Sequence, residues 1–300
     1  MDSIFNLVYE NKTIDATICN YLAQNEIITS LVETSSSLLL ENTQFSSNPY
    51  CQFFFNRAKL DYFKVSNLNS TNKLEFFDNS LINLRDDFTS TVSEFVIEES
   101  DFELNSYLLD KFVFKNLYIF RILNSYLRDV QTDLFKSFSY LKLFEIRIFN
   151  FEEFITTNSN NNTWISNLNT NVSVDLTNQI DFDNNKEYKM IFYLTDLNET
   201  YLYPEEDFCF FKDFPHARLV VPKINTKTDL ECTCTLLFLL QYKSLYQEGS
   251  LNDLDTSSVN KCLNDPNFDQ LVLNCDFEWR IRSLCLGETS TTTTTTTENR

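Results

Sequence analysis

Paired carboxylates are the first residues of this sequence that could do chemistry. Acidic doublets occur at three places: Asp86 with Asp87, Glu98 with Glu99, and Glu205 with Glu206. Two carboxyl groups flanking the scissile bond are what a glycosidase-type hydrolase uses as acid and base. Neighbouring residues of a strand point to opposite faces, so these doublets make poor acid–base pairs. Surface acidity explains them better, and a carboxylate-dependent hydrolase is the least favoured function.

Other catalytic chemistry is restricted by the scarcity of histidine and glycine. His216 is the single histidine, which excludes HExxH zinc sites and proton relays between two imidazoles. It follows Pro215 and precedes an apolar run, a position typical of a structural or surface histidine. The two glycines, Gly249 and Gly287, are too few for a P-loop or a GxGxxG turn. We therefore predict no enzymatic activity, no catalytic residue, no metal site and no cofactor.

The charge of the chain restricts its partners. With 24 basic and 43 acidic side chains, the formal net charge is −19. Such a surface repels phosphate backbones and anionic lipid headgroups, so no nucleic-acid partner is expected. The 300 residues, 43% of them hydrophobic, are enough to bury a large core. The composition thus predicts a folded protein with an acidic, solvated surface.

Eight cysteines indicate the compartment. They form an even set without a CxxC pair, which argues against zinc ribbons and thioredoxin-like motifs. Six of the eight fall in the last third of the chain, and disulfides persist only in oxidising compartments. We predict disulfides among these residues: Cys19, Cys51, Cys209, Cys232, Cys234, Cys262, Cys275 and Cys285.

Sequons for N-linked glycosylation favour the same compartment. The N-x-[ST] pattern occurs at Asn11, Asn69, Asn161, Asn171 and Asn198. In a chain rich in Asn, Ser and Thr some of these are chance matches, but together with paired cysteines they predict an extracellular or cell-surface protein. The alternative is an intracellular protein with free thiols.

The two ends of the chain carry separate expectations. The N-terminal residues have no basic n-region and no apolar h-region, so a signal peptide is absent. We therefore expect a fragment or an incomplete gene model. Residues 287–300 contain a Thr run that is unable to build a core and is expected to form a flexible stalk. That stalk is expected to lead to a membrane tether in a missing C-terminal segment.

A repeated apolar pattern indicates the architecture. The apolar positions of residues 114–130 recur 24 residues later. Each copy contains Leu-x-x-Phe-x-Ile, at 117–122 and at 141–146. Its later part, positions 120 and 122 or 144, 146 and 148, alternates with a period of two, which predicts strands. The same frame fits two earlier segments: Val92-x-x-Phe95-x-Ile97 and, more faintly, Leu60-x-x-Phe63-x-Val65. A strand with a helical or irregular return is too small to bury its own apolar face and must stack on copies of itself.

This pattern resembles the leucine-rich repeat family, whose repeats run about 20 to 29 residues as L-x-x-L-x-L-x-x-N-x-L. The resemblance implies an α/β fold, a solenoid of short parallel strands with helical or irregular returns. The family's buried asparagine falls on Ser125 and Phe149, with Asn124 and Asn150 beside it. The asparagine ladder between neighbouring repeats is therefore expected to be lost.

The C-terminal end carries the more specific resemblance. Cys232-x-Cys234 followed by TLLFLLQYKSLY resembles the cysteine-rich cap of extracellular leucine-rich repeat proteins, in which C-x-C opens a short helix. By that resemblance Cys232 pairs with Cys262, and Cys234 pairs with Cys275 or Cys285. A cap of this kind shields the apolar edge of the last repeat.

The sequence divides into four predicted regions, and four cysteines remain outside the simplest cap pairing. Cys209 and one of the last two cysteines are additional to the simplest cap, and Cys19 and Cys51 most simply pair with each other. The Asn-rich stretch at 154–171 is expected to be a surface loop. The predicted regions are an N-terminal capping region at 1–59, a degenerate leucine-rich-repeat solenoid at 60–225, the cysteine-rich cap at 226–286 and the stalk at 287–300.

The favoured function is recognition or adhesion outside the cell, without catalysis, through an unidentified protein ligand. Leucine-rich repeat domains bind through the face of the sheet that points away from the core. The side chains between the buried strand positions are the candidates for that face: Arg121, Leu123, Glu145 and Arg147. The alternative is a secreted structural or mucin-like matrix component, which the Thr tract and the sequons favour. The sequence predicts no oligomeric state.

Overall fold

The computed structural model describes residues 5–10, 13–14, 35–41, 44–45, 60–67, 91–106, 108–111, 113–158, 162–168, 190–215, 220–224, 231–241 and 262–288. The described part is an α/β structure, an all-parallel β-sheet followed by disulfide-linked C-terminal helices. His216, Asp86 and Asp87, the cysteines Cys19 and Cys51, and nearly all of the Thr-rich tract lie outside these residues.

The strands of the main sheet lie in chain order. They are β1 (Phe5–Glu10), β3 (Ser35–Glu41), β5 (Tyr62–Ser66), β6 (Glu94–Glu98), β8 (Ile119–Val130), β9 (Leu143–Ile148), β10 (Met190–Asp196) and β11 (Val220–Ile224). In addition, β7 (Asp101–Leu104) pairs with the second half of β8, and β2 (Thr13–Ile14) pairs with β4 (Gln44–Phe45). Every pairing among these strands is parallel, because each connection returns the chain to the same end of the sheet. The first two strands of the main sheet come from the predicted capping region.

The repeated frame forms the core of the sheet. The central phenylalanines of the four predicted copies are aligned in the register of β5, β6, β8 and β9, which confirms the strands predicted at 117–122 and 141–146. Phe192 of β10 adds a fifth member. The ring centroids of consecutive members lie 5.1, 5.5, 5.2 and 5.3 Å apart. This Phe row comprises Phe63, Phe95, Phe120, Phe144 and Phe192, all buried, and each buried ring contributes about 1.5–3 kcal/mol.

Polar side chains link consecutive strands just beyond the Phe row. Ser125 is fully buried, and its Oγ accepts a hydrogen bond at 3.1 Å from the backbone N–H of Ser100 on the preceding unit. The side-chain amide of Asn150 accepts from the N–H of Leu127 at 3.2 Å and donates to its carbonyl at 3.0 Å. Hydrogen bonds between neighbouring turns are therefore made by Ser125 and Asn150, although no asparagine stands at the family's own positions, 125 and 149. Ser125 can replace asparagine because its hydroxyl both donates and accepts hydrogen bonds. Asn150 makes its hydrogen bonds to Leu127 from the position next to the family's own.

The returns between strands are short helices and turns. A 3₁₀ turn (Leu134–Ser137) follows β8, and α1 (Phe151–Thr157) and α2 (Thr163–Ser166) follow β9. The predicted surface loop at 154–171 is thus wrong over its described residues, since Trp164 is buried against the core. The Trp164 ring lies 6.0 Å from that of Phe135 and 6.5 Å from that of Phe210, between centroids.

Three disulfides hold the C-terminal helices together. These helices are α3 (Phe208–Phe211), α4 (Cys234–Leu240), α5 (Phe268–Asn274), α6 (Phe277–Arg280) and a π-helical turn (Ile281–Cys285). The bonds join Cys232 to Cys262, Cys234 to Cys275, and Cys209 to Cys285. The first is the pair that the resemblance implied, and the second is one of its two alternatives for Cys234. The predicted disulfides are therefore present at these six cysteines.

Glu205 and Thr233 connect the C-terminal helices to the segment that follows β10. Thr233 caps α4 by accepting from the N–H of Leu236 at 3.2 Å, and its hydroxyl donates to the carbonyl of Tyr203 at 2.6 Å. Glu205 accepts from the N–H of Cys234 at 2.8 Å and from the guanidinium of Arg280 at 2.6 Å. No helix within the described ranges is long and apolar enough to cross a bilayer.

Candidate binding face

The outward-pointing residues of the sheet form a surface across five strands. Successive side chains of a strand alternate between faces, so the residues flanking the Phe row point away from the core. Lys64, Val96, Arg121, Glu145 and Tyr193 are aligned by the register of β5, β6, β8, β9 and β10. We call this surface the charged face, and define it by Lys64, Glu94, Glu98, Arg121, Leu123, Glu145, Arg147 and Tyr193.

Ion pairs cross the strands of the charged face. Arg121 lies between two carboxylates, with Nη1 3.3 Å from Glu94 and Nε 3.4 Å from Glu145. Glu145 is also 3.8 Å from Nε of Arg147. One strand pair further, Nζ of Lys64 lies 2.5 Å from Oε2 of Glu98. Partly exposed pairs of this kind add at most about 1 kcal/mol each, so they orient side chains more than they stabilise the fold.

Partial burial changes the protonation behaviour at the centre of the face. Burial raises the pKa of Glu145, while Arg121 and Arg147 act in the opposite direction. Burial also raises the pKa of Tyr193 to about 12, with a further contribution from the charge of Glu145. The hydroxyl of Tyr193 is shielded from solvent and forms no hydrogen bond within the described ranges. The face therefore presents a neutral phenol beside a row of alternating charges.

The structure places all four predicted binding residues on this one face. Arg121 and Leu123 are outward positions of β8, while Glu145 and Arg147 are outward positions of β9. The other residues of the charged face were not predicted from the sequence; they are Lys64, Glu94, Glu98 and Tyr193. Lys64, Glu94 and Glu98 were predictable, because the repeated frame also identifies β5 and β6. Assigning Tyr193 to this face required the register between β10 and β9.

Two of the three carboxylate doublets fall within the described ranges, and both lie on separate elements with structural roles for Glu98, Glu99 and Glu205. Glu98 pairs with Lys64 on the charged face, whereas the next residue, Glu99, has a φ of 51° and its N–H donates to the carbonyl of Leu123 at 3.0 Å. Glu205 binds the start of α4 and Arg280. Within the described part of the chain, no cluster of His, Cys, Asp or Glu is arranged to hold a metal ion.

Of the five sequons, only the one at Asn198 falls within the described residues. Asn198 lies exposed in the turn after β10. The other four, at Asn11, Asn69, Asn161 and Asn171, lie outside the described ranges.

The chain matches no protein-family model, no curated protein and no solved structure. The comparisons therefore assign no family, and the fold and the charged face rest on the sequence and its structure.

Proposed function

We propose that this chain is an extracellular recognition module, a divergent leucine-rich-repeat-like solenoid that binds a protein ligand through the charged face. Parallel strands in chain order, the Phe row repeated on five of them, and C-terminal helices linked by three disulfides support the solenoid with its cap. The same disulfides indicate an oxidising, extracellular-type environment.

The observation that carries the proposal is the charged face itself. Its arginines and its tyrosine are among the residue types enriched at the energetic centres of protein interfaces. Cross-strand pairs already hold Arg121 and Glu145 in place, so a partner loses less side-chain entropy when it binds them. Both signs of charge alternate on the face, which suits a protein surface of mixed charge better than a polyanion.

A ligand screen with matched variants tests this function. The secreted chain, tetramerised as a probe, is applied to an array of secreted and cell-surface ectodomains. For any ligand found, we expect the double variant Arg121→Glu, Arg147→Glu to bind at least roughly tenfold more weakly, a loss of about 1.4 kcal/mol.

The control is Arg282→Glu on the π-helical turn, an exposed arginine that pairs with Glu278 of α6 and lies outside the charged face. Equal binding by the wild type and the double variant, with both folded by circular dichroism, would assign recognition to another surface. Equal losses in the double variant and in the control would indicate a nonspecific charge effect.

A further inference from the structure

We propose that Asn198 carries an N-linked glycan whose first sugar packs on the exposed aromatic pair formed by Tyr126 and Phe149. The proposal rests on passage through the secretory pathway, which the three disulfides indicate. It does not depend on the charged face or on any ligand.

Phe149 and Asn198 follow the ends of β9 and β10, and Tyr126 lies beside them in the second half of β8. The N–H of Phe149 donates to the carbonyl of Ser125 at 3.0 Å, and the N–H of Leu197 donates to that of Ile148 at 3.1 Å. These bonds continue the register of β8, β9 and β10 past the ends of the last two strands. They bring the turn that contains Asn198 beside Phe149, and Phe149 beside Tyr126.

The two aromatic rings are exposed in a protein that buries most of its phenylalanines. Tyr126 is 51% exposed and Phe149 is 38% exposed. Their ring centroids lie 5.4 Å apart, with an angle of 34° between the planes. The rings therefore form a small apolar platform, and the C–H face of a pyranose has the shape and polarity to cover one.

The Asn198 side chain is already held beside this platform. Its Nδ2 donates to the backbone carbonyl of Phe149 at 2.7 Å. In glycosylation, Nδ2 bonds to C1 of the first sugar of a lipid pyrophosphate-linked oligosaccharide, the bond from C1 to the pyrophosphate oxygen breaks, and one Nδ2 proton is lost. The second Nδ2 hydrogen remains, so the glycosylated side chain keeps its hydrogen bond to Phe149.

The backbone of the sequon is fixed by a buried carboxylate. Asp196 accepts hydrogen bonds from the N–H groups of Asn198 at 3.1 Å, Thr200 at 2.6 Å and Tyr201 at 2.9 Å. Its side chain also accepts from the hydroxyl of Thr200 at 3.2 Å. Four hydrogen bonds hold this turn, so the attachment point of the sugar at Asn198 is fixed. The sugar therefore loses less conformational entropy when it packs on the rings.

The test combines glycopeptide mapping with a thermal double-mutant cycle on the secreted protein. Mapping is expected to find glycan at Asn198. Asn198→Gln is then expected to lower the Tm by about 2 °C in the wild-type background. The decrease is expected to be smaller where Tyr126→Ala and Phe149→Ala have removed the platform, because only the hydrogen bond from residue 198 to the Phe149 carbonyl is then lost. All other sequons stay intact in the four proteins.

Unglycosylated protein from a bacterial periplasm is the control, because it keeps the hydrogen bond from residue 198 but lacks the sugar. In that protein the cycle is expected to show no coupling. An empty Asn198 beside occupied sequons would overturn the proposal. So would an equal Tm change in both backgrounds, or the same coupling in the bacterial protein. None of these outcomes involves a ligand, so they are independent of the screen for the charged face.

Discussion

The sheet and the C-terminal helices solve the same problem of stability in different ways. In the sheet, β5, β6, β8 and β9 bury the apolar residues of one shared pattern against the neighbouring copy, and the Phe row is buried throughout. Burial is uneven among the C-terminal helices, since α3 and α4 bury most of their residues, whereas α6 has no buried residue and α5 has only Phe268. Leu273 and Trp279 on these helices are 72% and 50% exposed.

Covalent links compensate for this difference. The three described disulfides all lie in or beside the C-terminal helices and close loops with sequence separations of 30, 41 and 76 residues. Restricting the unfolded chain in this way contributes about 2–4 kcal/mol per bond. Repetition supplies burial where strands stack on one another. In the C-terminal region, disulfides link α5 and the π-helical turn, which bury little, to the buried helices α4 and α3.

The largest expected effect comes from removing one member of the Phe row. Phe120→Ala leaves a cavity between Phe95 and Phe144, whose rings lie 5.5 and 5.2 Å from that of Phe120. The free energy of unfolding is expected to fall by about 3–5 kcal/mol, measured by denaturant unfolding. The matched control, Tyr140→Ala at a 50% exposed position, is expected to cost less than about 1 kcal/mol. Similar losses of unfolding free energy in both variants would show that the Phe row does not stabilise the sheet more than an exposed side chain does.

A smaller, local effect is expected when one disulfide is removed from the C-terminal helices. Changing Cys234 and Cys275 to Ser is expected to cost about 2–4 kcal/mol. Hydrogen exchange should then rise in α4 and α5 and stay unchanged in β8 and β9, because the Phe row needs no covalent link. Faster exchange in both strands would show that the two regions unfold as one unit. It would contradict the claim that the sheet is stable without the disulfides.

The smallest effect is expected on the charged face. Tyr193→Phe removes a hydroxyl that forms no hydrogen bond within the described part of the chain, so the free energy of unfolding at pH 7 should change by less than about 1 kcal/mol. The pKa of Tyr193 is raised to about 12 in the folded protein. The stability linked to this group is therefore complete below pH 10 and is lost as the pH rises from 10 through 12.

Phenolate absorbance and unfolding free energies between pH 9 and 12 check this expectation. The variant should lack one late-titrating phenol and lose less stability than the wild type over that range. Identical pH profiles of the unfolding free energy, with a phenol of pKa about 10 missing from the variant's absorbance titration, would show that Tyr193 titrates as an ordinary exposed tyrosine.

The strands were predictable because their signal is local. An apolar period of two, repeated in a fixed frame, identified β5, β6, β8 and β9 before any contact was known. Trp164 shows the opposite case, since it lies with few other apolar residues in an Asn-rich stretch that has no strand or helix period. Only packing against Phe135 and Phe210, which are distant in the chain, reveals that it is buried.

The disulfides fall between these cases. The sequence placed six cysteines in the last third of the chain. The resemblance to the cysteine-rich cap implied Cys262 as the partner of Cys232, but it left Cys275 and Cys285 as alternatives for Cys234. The tertiary structure decides between them, because Cys209 on α3 is bonded to Cys285.

The sequence alone predicted the parallel strands of the repeated frame, the cysteine-rich C-terminal end and the outward positions of β8 and β9 as a binding surface. Only the tertiary structure decided that Lys64, Glu94 and Tyr193 share a surface with Arg121, and that Asn198 lies beside Phe149. The physical reason is that strand periodicity is set by neighbouring residues, whereas a surface is set by the register between strands. That register depends on how far each return carries the chain before the next strand begins.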